Sequence, residues 1–241
     1  MNLILISIFA FLATLVGGLL ALRFKDKLHL VLGFSAGALI GVAFFDLIPE
    51  SIELAESLGV GTITAYTALG FFVFMIIDRF IMPHHASEEH DQCENEHHRG
   101  RLGASSLSFH SLLDGVAIGL AFQVSPAVGL VVAVAVLVHD FSDGINTVGL
   151  ILRNGGSKKE AAKWLTLDAI APVVGIIISS FFSFSQTTLG VILALFAGFF
   201  LYIGASDLLP ESHHRHPTLW TTFTTLLGAG VMFVAIKLAG I

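Results

Sequence analysis

What most limits this chain is the length of its apolar runs. Eight stretches of about twenty residues carry almost no charge, and a helix of that length matches the ~30 Å hydrocarbon core of a bilayer. They fall near 3–22, 28–49, 62–82, 104–123, 127–152, 161–182, 187–209 and 217–238. A transmembrane barrel would alternate instead in segments of about ten residues. The expected fold class is therefore all-α integral membrane, with eight transmembrane helices. Composition agrees, with 55% hydrophobic residues and 12% charged, where a soluble domain carries roughly 25% charge. One cysteine leaves no intramolecular disulfide framework.

The charges that remain are unevenly placed. No basic segment precedes the first run, so it is expected to stay as a helix rather than to be cleaved as a signal. Arg23, Lys25, Lys27, Arg79, Arg99, Arg101, Arg153, Lys158, Lys159, Lys163 and Arg215 all lie in or beside the loops after spans one, three, five and seven. Only Lys237 lies at the other end. The positive-inside rule puts those loops in the cytoplasm and both termini outside. The segment 84–101 is then a cytoplasmic loop, holding Cys93 in a reducing compartment together with His84, His85, His90, His97 and His98. Its composition suggests metal capture. Nothing in the chain points to a nucleic-acid partner; the lipid bilayer is the surrounding that the composition demands.

Two apolar runs contain polar stations. Span four has His110-Ser111-Leu112-Leu113-Asp114-Gly115, and span five has His139-Asp140-Phe141-Ser142-Asp143-Gly144. Residues four apart share a helix face, so each station points an imidazole and a carboxylate the same way. An ionisable group in the bilayer costs roughly 2.5–3.5 kcal/mol on insertion scales, so it persists where it faces a partner, a cavity or an ion. Ser125-Pro126 forms a tight turn, so the two spans run antiparallel side by side. At ~1.5 Å per residue the four side chains fall within a slab roughly 10 Å deep. Imidazole and carboxylate both suit Zn²⁺ and its neighbours, so His110, Asp114, His139 and Asp143 are the primary candidate ligands. Asp140 and Ser111 are placed to border a second ion. Asn146 lies one turn further along span five, and Asp168 adds a carboxylate from span six at similar depth.

The chain also repeats itself. Residues 37–51 align without gaps to 198–212, matching Gly37 to Gly198, Asp46 to Asp207, Pro49 to Pro210, Glu50 to Glu211 and Ser51 to Ser212. The first copy ends a span running outward and the second a span running inward. Spans one to three and six to eight are therefore expected to be inverted-topology repeats around the central pair, an arrangement found in transporters with substrate bound near the midplane. Asp46 and Glu50 would mark one mouth and Asp207 and Glu211 the other, as entrance and exit. The simpler expectation for Pro49 and Pro210 is that they stop their helices at the interface.

With those motifs in hand, the chain resembles the ZIP family (Zrt/Irt-like proteins) of divalent-metal transporters, in its short bacterial form. The likeness covers essentially all of it: eight spans, the His-rich segment after span three, the polar spans four and five, and the Asp-Leu-x-Pro-Glu endings. The family's H-N-x-P-E-G in span four stands here as H-S-L-L-D-G, and its span-five motif as H-D-F-S-D-G, with Leu113 and Ser142 in place of the two prolines. The resemblance implies His110, Asp114, His139 and Asp143 around a first metal and Ser111, Asp114, Asp140 and Asp143 around a second. It also implies a 3+2+3 helix order and a homodimer. Residues 1–241 are then one transporter domain that moves a divalent ion, Zn²⁺ first and Fe²⁺, Mn²⁺ or Cd²⁺ after it, across the cell membrane into the cytoplasm, with one or two ions bound. A rival chemistry is an intramembrane zinc-dependent hydrolase, in which a His/Asp-bound metal activates water; no His-Glu-x-x-His is present to support it. A metal sensor or proton conductor would bind metal without net flux.

Overall fold

Every regular element among the described residues is helical, as backbone groups inside lipid require. The computed structural model describes residues 3–21, 28–81, 92–214 and 219–240. The helices are α1 (Leu3–Ala21), α2 (Leu28–Val42), α3 (Ile48–Leu54), α4 (Val60–Ile81), α5 (Gln92–Val124), α6 (Pro126–Arg153), α7 (Lys158–Ser179), α8 (Gln186–Tyr202), α9 (Leu209–His214) and α10 (Leu219–Ala239). A π-helical turn, Ala43–Leu47, joins α2 to α3, and another, Ile203–Leu208, joins α8 to α9. Counting each joined pair as one rod, eight helices among the described residues are long and apolar enough to cross a membrane. Local chemistry sets several starts. Ser125 accepts the Val128 N–H at 3.1 Å ahead of Pro126, and Ser157 accepts the Glu160 N–H at 3.1 Å.

Two boundaries differ from expectation. Helix α5 begins at Gln92, well before the apolar part of the span at Gly100. The loop expected over 84–101 is thus helical from Gln92 on. Bilayer thickness limits the apolar stretch and not the helix. Glu94 and Glu96 near the start, with Arg99 and Arg101 after them, suit a helix that continues into water. His84, His85 and His90 lie outside the described residues, and His97 and His98 lie within α5 with their side chains undescribed.

The second difference concerns the prolines. Pro49 and Pro210 do not end their rods, which continue to Leu54 and His214. A proline inside a helix loses one N–H and crowds the carbonyl four residues back. Here that carbonyl falls in the preceding π turn, whose wider spacing makes room for the ring.

The rods pack as two groups. Helices α1, α5, α6 and α7 form one, and α2, α4, α8 and α10 the other, with α2 against α6 as the main join. Within them α1 pairs closely with α6, α5 with α7, α2 with α10 and α4 with α8. Each pair touches backbone to backbone at glycine. A Cβ on Gly144 would strike the Thr14 carbonyl oxygen, and one on Gly17 that of Phe141. Gly115 and Gly175 do the same between α5 and α7, meeting the carbonyls of Pro172 and Leu112. With no hydrophobic drive between helices in lipid, such small-residue contacts are what dispersion forces need. Exposed Ile, Leu, Val and Phe side chains on α1, α4, α7 and α10 form the outer surface of the bundle.

Candidate metal centre

Both polar stations sit on unbroken helix. Leu113 and Ser142, where the family motif carries proline, keep α5 and α6 regular through them. Gly115 draws α7 close to α5 and Gly144 draws α1 close to α6, and the side chains of the two stations are buried between them. His139, Asp140, Asp114 and Ser111 are each 0% exposed, and His110 and Asp143 are 5% and 2%.

Four side chains converge there. His110, Asp114, His139 and Asp143 each place one ligand atom within 4.8 Å of the others. The Nε2 atoms of His110 and His139 are 3.3 Å apart. Asp114 Oδ2 lies 3.1 Å from His110 Nε2 and 3.0 Å from His139 Nε2. Asp143 Oδ2 lies 3.5 and 3.6 Å from the same two nitrogens. A tetrahedron of ligands about 2.0–2.2 Å from an ion has edges of roughly 3.3–3.6 Å. Five of the six donor–donor edges, at 3.0–3.6 Å, come close to that spacing. His139 Nδ1 faces the Ala135 carbonyl oxygen at 3.3 Å. Donation to that oxygen leaves the Nε2 lone pair aimed at the centre, as in metal-ligating histidines.

The surroundings separate the other candidates. Asp168 lies at the same depth, 0% exposed, but both its oxygens are engaged: Ser111 Oγ donates to Oδ1 at 2.8 Å and Thr147 Oγ1 to Oδ2 at 2.7 Å. Ser111 accordingly turns its hydroxyl proton to Asp168. Asp140 is the opposite case: it is fully buried and, among the described residues, neither of its oxygens has a hydrogen-bond partner, nor do Asp114 Oδ1 and Asp143 Oδ2. Buried polar groups without partners are rare and call for an explanation such as an ion. Asn146 is half-buried on the next turn.

Asp46 is 3% exposed in the first π turn, its Oδ2 without a hydrogen-bond partner among the described residues, whereas Asp207 is exposed in the second. Glu50 is half-buried, and Glu211 lies 3.4 Å from Arg153. None of these four joins the central cluster.

Several residues here were not foreseen. Thr147 continues the stripe of His139 and Asp143 at four-residue spacing, and that periodicity was the available signal. The far wall is aromatic. Phe199 and Phe74 set their ring centroids 5.1 and 6.0 Å from His110, and Phe200 lies 6.1 Å from His139. In a chain with 21 phenylalanines, nothing local marks these three. All four ligand candidates thus belong to the group of α1, α5, α6 and α7, while the other group faces them with phenyl rings.

The chain matches a protein-family model described as "ZIP Zinc transporter" over residues 1–105 and 83–236. A protein of Corynebacterium aurimucosum named zinc transporter ZupT is 30% identical to it, covering 94% of this chain and 93% of that one. The protein of the same name from Corynebacterium efficiens is 31% identical over 97% and 95% of the two chains. That of Chlorobium chlorochromatii is 29% identical over 97% and 96%.

Proposed function

The chain belongs to the ZIP zinc transporter family, and from that premise we propose that it carries divalent cations, Zn²⁺ above all, across the membrane into the cytoplasm through His110, Asp114, His139 and Asp143. The observation that carries this reading is the convergence of the four donor atoms, within 4.8 Å of one another, which suits a dehydrated four-coordinate ion. The hydrolase reading is set aside, because the family and the named relatives are transporters.

On this reading the ion sheds water near Asp46 and Glu50, pauses at the four ligands, and leaves past Asp207 and Glu211. The orphaned oxygens of Asp140 support a place for a second ion beside the first. The cytoplasmic side is the one with the basic loops and the histidines of 84–101. Residues 1–241 act as one domain, and two copies associate as a homodimer. The inverted repeat is supported by the two π turns, which fall on matched positions around Asp46 and Asp207. It is supported too by the packing, since exchanging α1 with α7, α2 with α8, α4 with α10 and α5 with α6 maps each close pair onto another. Access alternates as the group holding the ligands shifts against the aromatic wall of the other.

The test is zinc uptake by proteoliposomes. The parent protein is expected to fill them with zinc, and the double variant His139→Ala with Asp143→Asn to bring uptake to the level of empty vesicles. Parent-like uptake by that variant would mean that the ion passes elsewhere.

A further inference from the structure

We propose that the cleft at the start of α7 binds the phosphate headgroup of an anionic phospholipid. This cleft, about 760 Å³, lies between the first turns of α7 and Arg101 of α5 and is lined by Arg101, Lys159, Glu160, Lys163 and Trp164. It stands outside the metal centre. Among the described residues three cations line it with one carboxylate, and that carboxylate, Glu160, is held by Arg101 at 2.6 Å. Lys159 and Lys163 are four residues apart, so they lie one turn apart on one face of the helix, and both are exposed. A basic pocket offered to a monovalent or divalent phosphate is the simplest use of such a set.

Position selects the source of the phosphate. The apolar parts of the two spans begin at Gly100 and Lys158, so the cleft lies where the bundle meets the membrane surface. Trp164 is half-buried beside it, in the aromatic belt that marks that level. Below the lysines the same face of α7 becomes apolar. Leu167 is 45% exposed and Ile170 42%. From Lys158 to Ile170 is about 18 Å at 1.5 Å per residue, close to half of a ~30 Å hydrocarbon core. One lipid therefore fits with its phosphate among Arg101, Lys159 and Lys163 and one acyl chain along α7. A free phosphate gains nothing from the apolar stripe. A lipid meets both halves of the site at once, at the high local concentration of a leaflet.

The test uses Trp164 as reporter. The chain has two tryptophans, so Trp220→Phe leaves Trp164 alone. This protein is reconstituted into vesicles with either brominated phosphatidylglycerol or brominated phosphatidylcholine, and quenching gives their relative affinities at the site. Phosphatidylglycerol is expected to be preferred, and each of Lys159→Gln and Lys163→Gln to reduce that preference about fivefold, the effect of one cation near an anionic surface. Lys237→Gln, which removes a charge at the far end of the bundle, is expected to leave it unchanged. Equal quenching by the two lipids, or equal loss in all three variants, would overturn the proposal. So would release of the quenching by millimolar inorganic phosphate, since the site would then be one for soluble anions.

Discussion

Ser35 of α2 and Ser142 of α6 share a hydrogen bond of 2.8 Å that joins the two helix groups. Ser35 also donates to the Val138 carbonyl oxygen at 3.1 Å, so the proton between the hydroxyls comes from Ser142. This link is one residue away from both His139 and Asp143. It ties the group that carries the candidate ligands to the group that faces them.

Ser35→Ala removes the donor to Val138 and the acceptor for Ser142 together. A buried hydroxyl left without a partner costs about 1–3 kcal/mol. The variant is expected to unfold at lower temperature, while zinc affinity stays within about threefold, because Ser35 touches no ligand. Thermal unfolding and zinc binding measured on the same preparation check both parts. A large loss of affinity with no loss of stability would place Ser35 in the ion's path.

Asp114 Oδ2 is close to both histidines, so Asp114→Asn is expected to weaken zinc binding more than any other single change, by at least about a hundredfold. Loss of a ligand should exceed the 10–100-fold typical of losing an outer partner. Asp168→Asn should cost at least about tenfold less than that, since both Asp168 oxygens are already taken by hydroxyls. Equilibrium zinc titration ranks the two, and the reverse order would make Asp168 a direct ligand.

Thr147→Val keeps the shape of the side chain and deletes its proton. Asp168 Oδ2 then loses its 2.7 Å donor, at an expected cost of about 1–3 kcal/mol for the buried group. The drop should appear in thermal unfolding. Thr147→Ser, which keeps the hydroxyl, should recover most of it.

Gly144→Ala would set a methyl against the Thr14 carbonyl oxygen and push α1 from α6. Forcing volume into such a contact costs typically about 1–3 kcal/mol, and because Gly144 follows Asp143, zinc affinity should fall as well. Gly230 in α10 has nothing within 4 Å of an added Cβ, so Gly230→Ala should be neutral or stabilising by up to about 1 kcal/mol through helix propensity. Equal effects on unfolding temperature would contradict the close packing of α1 on α6.

Much of this was legible along the chain. Eight spans follow from run length, because lipid offers backbone groups no partner and leaves a helix as the answer. The four candidate ligands follow from charge in an apolar run, since each such group demands a reason to be there. The limits of the rods were less legible. Pro49 and Pro210 look like stops, and only the π turns before them let the helices go on. The extension of α5 to Gln92 is not legible in the apolar pattern, because hydropathy measures the membrane and not the helix.

Sequence alone determined the helical class, the number of crossings and the residue types gathered at mid-depth, because each depends on local spacing and on the cost of leaving water. Tertiary structure decided which oxygen of which aspartate remains free. Asp140 and Asp168 read alike in one dimension, yet among the described residues one has no hydrogen-bond partner and the other is held by Ser111 and Thr147. Hydrogen-bond satisfaction, like the phenyl wall of Phe74, Phe199 and Phe200 opposite the histidines, depends on which helix faces stand against each other. Those faces are set by glycine contacts between helices distant in the chain, and no local pattern encodes them.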